Sequence, residues 1–202
     1  MNEKDTYKTI LDPSPEILFK EKNSKFFGYS FPITSEEEVK PIIDNLRKQH
    51  FGAVHFCYAF QVGTDSILYR ANDDGEPSNS AGMPIYGQIQ SFDLTNVLVV
   101  VVRFFGGVKL GVGGLISAYR NAAQMALQES KIIEKTIDTH FLISFEYKNM
   151  NRVMRVIKEK NLTLISQKME ENCQIEISIR KSKSDAVFEI LENLYEIEVK
   201  KI

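Results

Sequence analysis

The chain has 202 residues, with 25 Lys plus Arg against 27 Asp plus Glu, a formal net charge of -2 and 43% hydrophobic residues. That composition supplies an ordinary core and excludes disorder, collagen-like repeats and a broad polycationic surface, so any nucleic acid or ribosome must meet a local basic patch. All 11 glycines lie between positions 28 and 114 and all 6 prolines between 13 and 84, a compositional seam that predicts two domains, 1–135 and 136–202.

Residues 1 to about 23 read as a leader, charged and polar at MNEKDTYKTI, without the apolar core of a signal peptide, and turning at LDPSP. KFFGYSF at 25–31 predicts the first strand. Thr34 or Ser35 can then cap a helix, with Glu37 or Glu38 completing a capping box, and Val39, Ile42, Ile43 and Leu46 share one helical face. Pro41 predicts a kink or a later start. AVHFCYAFQV at 53–62 and SILYRA at 66–71 predict an antiparallel hairpin, followed by the polar connection NDDGEPSNSAG at 72–82 and a short helix near 83–90. The nearly continuous valines of 96–103 predict a central strand covered on both faces; the apolar run 97–102 is too short to span a bilayer. A soluble cytoplasmic protein with no membrane partner is expected. FFGGVKLGVGG then leads into a packed helix over LISAYRNAAQMALQES.

Beyond the seam, strands at 139–147, 162–169, 173–180 and 195–200 with helices at 150–160 and 184–193 give β-α-β-β-α-β, the order of a ferredoxin-like unit. The overall class is therefore α+β. This half is neutral, with 11 basic and 11 acidic side chains in 136–202. Alternation of Ile175, Ile177 and Ile179 with Glu176, Ser178 and Arg180 predicts a sheet with one open or lightly covered face, a docking surface. Cys57 and Cys173 stand on opposite sides of the seam, which fits a reducing compartment better than a disulfide framework.

Three constellations can carry chemistry. In 103–120, five glycines (Gly106, Gly107, Gly111, Gly113 and Gly114) fall in nine residues between a buried-type strand and a helix, where free amides favour an anion and Arg103 and Lys109, aided by Arg70, add charge. No Walker GKS or GKT and no G-x-G-x-x-G is present, and tight packing of the glycines explains them equally. In the 72–82 loop, Asp73, Asp74, Gly75, Glu76, Pro77, Ser78, Ser80 and Gly82 make a rigid polar motif or a solvated turn; the spacing matches no calcium loop. His55 and Cys57, two apart on a strand, face one side as a Cys–His pair or as a satisfied histidine beside a core cysteine. Tyr119 lies in no nucleophile elbow, and no metal site, cofactor or catalytic residue is assigned.

EKNSKFFGYS, HFCYAF, RANDDGEPSNSAGMPI and VLVVVVRFFGGVKLGVGGLISAYRNAA together resemble the IMPACT family, and within it the bacterial YigZ-like proteins, over essentially the whole chain. The resemblance implies a ribosomal protein S5 domain-2-like N-terminal domain and a ferredoxin-like C-terminal domain similar to the last domain of elongation factor G. It puts emphasis on His55, Cys57, Arg70, Asp73, Asp74, Gly75, Glu76, Pro77, Ala81, Gly82, Arg103, Gly106, Gly107, Lys109, Gly111, Gly113, Gly114 and Tyr119. The chain departs from the family pattern at GEPSNSAG, at Phe104 where tyrosine is common, and at Ser117 where a basic residue is frequent. For eukaryotic relatives the family implies translational control. Three readings follow: a translation-regulatory protein binding RNA, a ribosome or a translation-related protein through the glycine-rich basic segment; a kinase-like phosphate or nucleotide enzyme using 106–114 with Asp74 or Glu76; and a protein-interaction module.

Overall fold

The computed structural model describes residues 5–202, which divide into two compact units, one of 7–135 and one of 136–202 with Asp5 and Thr6. The larger unit is built on a five-stranded sheet of β2 (Ile17–Glu21), β3 (Ser24–Pro32), β4 (His55–Val62), β5 (Leu68–Asn72) and β6 (Val97–Phe104), in the order β2-β3-β6-β4-β5. Every neighbouring pair is antiparallel. Strand β6 is the centre, and its period of two divides the valines between two cores. Val97, Val99 and Val101 join α2 (Gly82–Ser91) and α3 (Gly111–Gln128) on one face, while Leu98, Val100 and Val102 join α1 (Val39–Gln49) on the other. That double covering is why the strand reads as continuously apolar.

Local chemistry accounts for the helix starts. Glu38 Oε1 accepts from the Thr34 and Ser35 amides at 2.7 and 3.1 Å, closing the predicted capping box, and these bonds lower its carboxyl pKa, the Thr34 amide most. The Ser35 cap opens a 3-10 turn at Glu36–Glu38 and α1 begins only at Val39, the later start that Pro41 predicts, with Pro41 in the first turn, where its missing amide would have no intrahelical partner. Helix α3 begins at Gly111, earlier than its apolar periodicity predicts. Gly28 lets that helix lie close on β3, since a Cβ there would stand 2.7 Å from the Ala122 carbonyl oxygen.

The expected leader, of which residues 1–4 lie outside the described residues, is ordered from Asp5 on. It holds β2 and a further strand, β1 (Thr6–Ile10), which pairs with β7 (Ile132–Thr136) as a two-stranded sheet. TYKTI and IIEKT are short, charged and pair across more than a hundred residues, so neither carries a local signal. The smaller unit runs β8 (Asp138–Glu146), α4 (Met150–Glu159), β9 (Thr163–Lys168), β10 (Asn172–Arg180), α5 (Ser184–Glu192) and β11 (Ile197–Lys201). Its antiparallel sheet has the order β11-β8-β10-β9. Phe141, Ile143, Phe145, Cys173, Ile175 and Ile177 pack with Val153 and Ile157 of α4 and Val187 and Leu191 of α5. On the opposite face Glu176 accepts from the Ser166 hydroxyl at 3.1 Å and pairs with His140 at 3.2 Å.

Candidate functional site

The 72–82 loop is folded back onto the start of β4. Asn72 Oδ1 accepts from the Asp74 amide at 2.7 Å, an Asx turn that lets Asp74 and Gly75 take φ of +40° and +87°. Asp73 then binds the start of α2: its Oδ1 accepts from the Ala81 and Gly82 amides at 2.9 and 2.8 Å, and its Oδ2 from Asn79 at 2.9 Å. A carboxylate there satisfies amides that a helix leaves unpaired. Asp74 anchors the other side, accepting from the Phe56 amide at 2.6 Å and from Arg47 at 3.0 Å. Its carbonyl meets His55 Nδ1 at 2.7 Å. A carbonyl only accepts, so the proton sits on Nδ1 and Nε2 is turned toward Glu76 Oε1, 3.8 Å away. Pro77 and Ser78 are exposed, whereas Ser80 is buried and donates to the Pro77 carbonyl at 2.6 Å.

Strand register supplies the rest. His55 lies opposite Arg103, and the alternation of β4 and β6 puts His55, Cys57 and Arg103 on the face covered by α3. Tyr119 of α3 is fully buried there, its ring edge-on to Phe26 at 5.2 Å. Glu76 enters this interior with a side chain only 4% exposed, and its Oε1 accepts from Arg103 Nη1 at 2.5 Å and from the Tyr119 hydroxyl at 2.8 Å. Arg103 lies between the rings of Phe26 and Phe105, 5.5 Å from each centroid, and its Nε is buried without a partner among the described residues. Burial drives the Cys57 thiol pKa upward, and that thiol donates to the Asp73 carbonyl at 3.0 Å. Burial likewise raises the Tyr119 phenol. A thiol held protonated is a structural group and not a ready nucleophile.

The segment after β6 is arranged differently. Gly106 is pressed against the β2–β3 turn, where a Cβ would stand 2.1 Å from the Asn23 carbonyl carbon, and its amide donates to Ser24 Oγ at 3.2 Å. Gly107 and Gly111 take φ of +81° and +72°, and Gly113 and Gly114 form the first turn of α3. Phe105, Gly107, Val108, Lys109, Gly111 and Gly113 are exposed.

The three cations expected to form one patch are separated. Arg103 is interior and held by Glu76, Lys109 is at the surface, and Arg70 pairs with Glu36 at 2.5 Å. Arg70 lies opposite Phe60 of β4, five residues from His55, which places it about 17 Å along the sheet from Arg103. Arg103 and Arg70 therefore do not join Lys109, because burial and ion pairing commit each elsewhere. Asp74 and Glu76, the carboxylates a phosphate enzyme would use, are both taken up by protein donors. Among the described residues no group of His, Cys, Asp and Glu has metal-binding geometry. Sequence reasoning missed Arg47, which holds the Asp74 carboxylate from helix α1.

Comparison with known proteins gives the family. The family model described as the Impact N-terminal domain matches residues 22–127. The IMPACT family member YvyE of Bacillus subtilis is 30% identical over 189 residues, covering 94% of this chain and 87% of that protein. An IMPACT family member of Haemophilus influenzae is 32% identical over 183 residues, covering 87% of each. A solved structure described as a hypothetical protein superposes with a TM-score of 0.77 at 24% identity over 98% of both chains. Among the described residues no helix is long and apolar enough to cross a membrane.

Proposed function

From the chain's membership of the IMPACT family, we propose that it is a translation-regulatory binding protein that contacts RNA or a ribonucleoprotein through the glycine turn at 105–113 and Lys109. One contrast carries this reading. The polar groups a reaction would recruit, Glu76, Arg103, Tyr119, Cys57 and Asp73, are bound to one another or to backbone in the interior, while the glycine turn and the first amides of α3 stay at the surface. The motif loop is thus a brace that shapes the end of the sheet, and the turn is what a partner reaches. A cation beside exposed helix amides suits a phosphate backbone.

The finer fold assignments belong to the same proposal. We read 1–135 as an S5 domain-2-like domain and 136–202 as a ferredoxin-like one. The β-α-β-β-α-β order with sheet order β11-β8-β10-β9 supports the second, and the compact units support the boundary at 135/136, with Asp5 and Thr6 falling in the smaller unit. The test is co-sedimentation of the purified chain with ribosomes as salt is raised. Association that weakens with salt, and weakens further for Lys109→Glu, is the expected outcome. Absence of ribosome or RNA association at low salt would refute it, and a stable partner insensitive to nuclease would favour the protein-interaction reading instead.

A further inference from the structure

Strand β5 ends the five-stranded sheet: β4 pairs with it on one side, and among the described residues no strand lies beyond it. Such an edge offers a row of unpaired N–H and C=O groups, which proteins usually guard with lysines, prolines or bulges. The other edges of the two larger sheets carry guards. Strand β2 ends in Lys20 and Glu21, β11 in Lys200 and Lys201, and β9 bulges at Ile165, which has no partner in β10. Strand β5 reads LYRAN, pairs without a register shift and holds neither Lys nor Pro. Ile67, Leu68 and Tyr69 are each about half exposed, and Arg70, the one charge, is held by Glu36.

The register assigns the two faces of this edge. Leu68, Arg70 and Asn72 lie opposite Val62, Phe60 and Tyr58, on the face covered by α1, and Tyr69 lies on the other face, stacked on Tyr86 of α2 at 4.4 Å. On the α1 face a groove of about 380 Å³ opens between the helix and this edge, lined by Tyr58, Phe60, Arg70 and Asn72 of the sheet and by Lys40 and Asp44 of α1. Glu36, just ahead of α1, pairs with Arg70, and Arg47, near its end, pairs with Asp74 just beyond β5, so helix and strand run in the same direction. Lys40 and Asp44 are left over. They stand one helical turn apart with the base first, the order that pairs poorly, and neither makes an ion pair among the described residues.

We infer that β5 takes an extended segment of a partner protein as a sixth, antiparallel strand, and that Lys40 and Asp44 select a segment with a basic and an acidic residue two apart, the basic one first. Unpaired ladder groups recognise an extended main chain and leave selection to alternate side chains. Same-face residues of a strand are about 6.6 Å apart, close to the ~5–6 Å between helix positions i and i+4. A strand antiparallel to β5 is also antiparallel to α1, so its first groove-facing residue meets Asp44 and its second meets Lys40. Its other face meets Tyr69, which suits β-branched residues. The surface shares no residue with the glycine turn, and the inference does not rest on RNA binding.

The experiment is fluorescence anisotropy of the full chain with the labelled peptide TVKVEVT and with TVEVKVT, which has the same composition and the opposite charge order. The first is expected to bind about fivefold more tightly or better, since the second sets like charges against Lys40 and Asp44. A Lys40→Glu/Asp44→Lys variant, changed only at exposed helix positions, should reverse that preference. Leu68→Lys, which places a guard on the edge, should weaken both peptides, and bound TVKVEVT should slow amide hydrogen exchange in 67–70 of the wild-type chain. No binding at millimolar peptide, equal binding of the two charge orders, or slowed exchange at β2 or β9 in place of β5 overturns the inference. A dimer of the chain that Leu68→Lys dissolves, with no peptide bound, assigns the edge to a second copy and overturns it as well.

Discussion

Glu76 and Arg103 show how a functional-looking pair can be structural. Two ionised side chains in the interior hold one another, and removing one partner leaves the other desolvated and unpaired, a cost of about 3–5 kcal/mol. Glu76→Gln should therefore lower the unfolding free energy by that order in urea titrations near neutral pH, even though an amide oxygen can still accept from Tyr119. Combining Glu76→Leu with Arg103→Met should recover most of the loss, because no lone charge remains. A loss below about 1 kcal/mol for Glu76→Gln would mean that the pair does not hold the loop. The residue types were legible in sequence, and so was the common face of His55 and Cys57, which needs only the period of two. That Arg103 turns inward to Glu76 was not legible, because an arginine at the end of a buried strand suits a surface cation equally well.

At the scale of elements, the glycine turn works by close approach at one position and by backbone freedom at others. A methyl at Gly106 would collide with the Asn23 backbone, which cannot yield as a side-chain end would. Gly107 has nothing within 4 Å of such a methyl and only its φ of +81° to oppose substitution. Gly106→Ala should thus cost about 3 kcal/mol, at the upper end of overpacking, and Gly107→Ala about 1 kcal/mol. Thermal melts of the two variants check the order; equal shifts would show that the turn is not seated on the hairpin. Helix α1 and the β4–β5 hairpin were legible because their signals are local: a capping box, an apolar helical face and a glycine between two alternating runs. Strands β1, β2 and β7 were not, since each is five residues long and its identity depends on a partner strand.

On the scale of the whole molecule, each unit carries its own core and its own tethers, and one tether can be read through pH. Asp5 accepts from Arg180 at 2.6 and 3.0 Å, and these hydrogen bonds, with one from Ser182, hold its carboxyl down at about 2 against an ordinary 3.8. A depressed carboxylate stabilises the folded state above its unfolded pKa, and that contribution fades as pH falls from about 4 to about 2. Asp5→Asn should therefore lower the melting temperature at pH 6 and converge on wild type at pH 2; a difference independent of pH would contradict the tether. The sequence by itself determined the seam, the α+β alternation, most element positions and the family, because periodicity, capping and turn chemistry act over a few residues. Tertiary structure alone decided which cations stay at the surface. It drew Arg103 into the interior and tied Arg70 to Glu36, just ahead of α1, while Lys109 stayed at the surface. Charge in sequence is a property of residue type, whereas an available charge depends on burial and on neighbours that only the packed chain brings together.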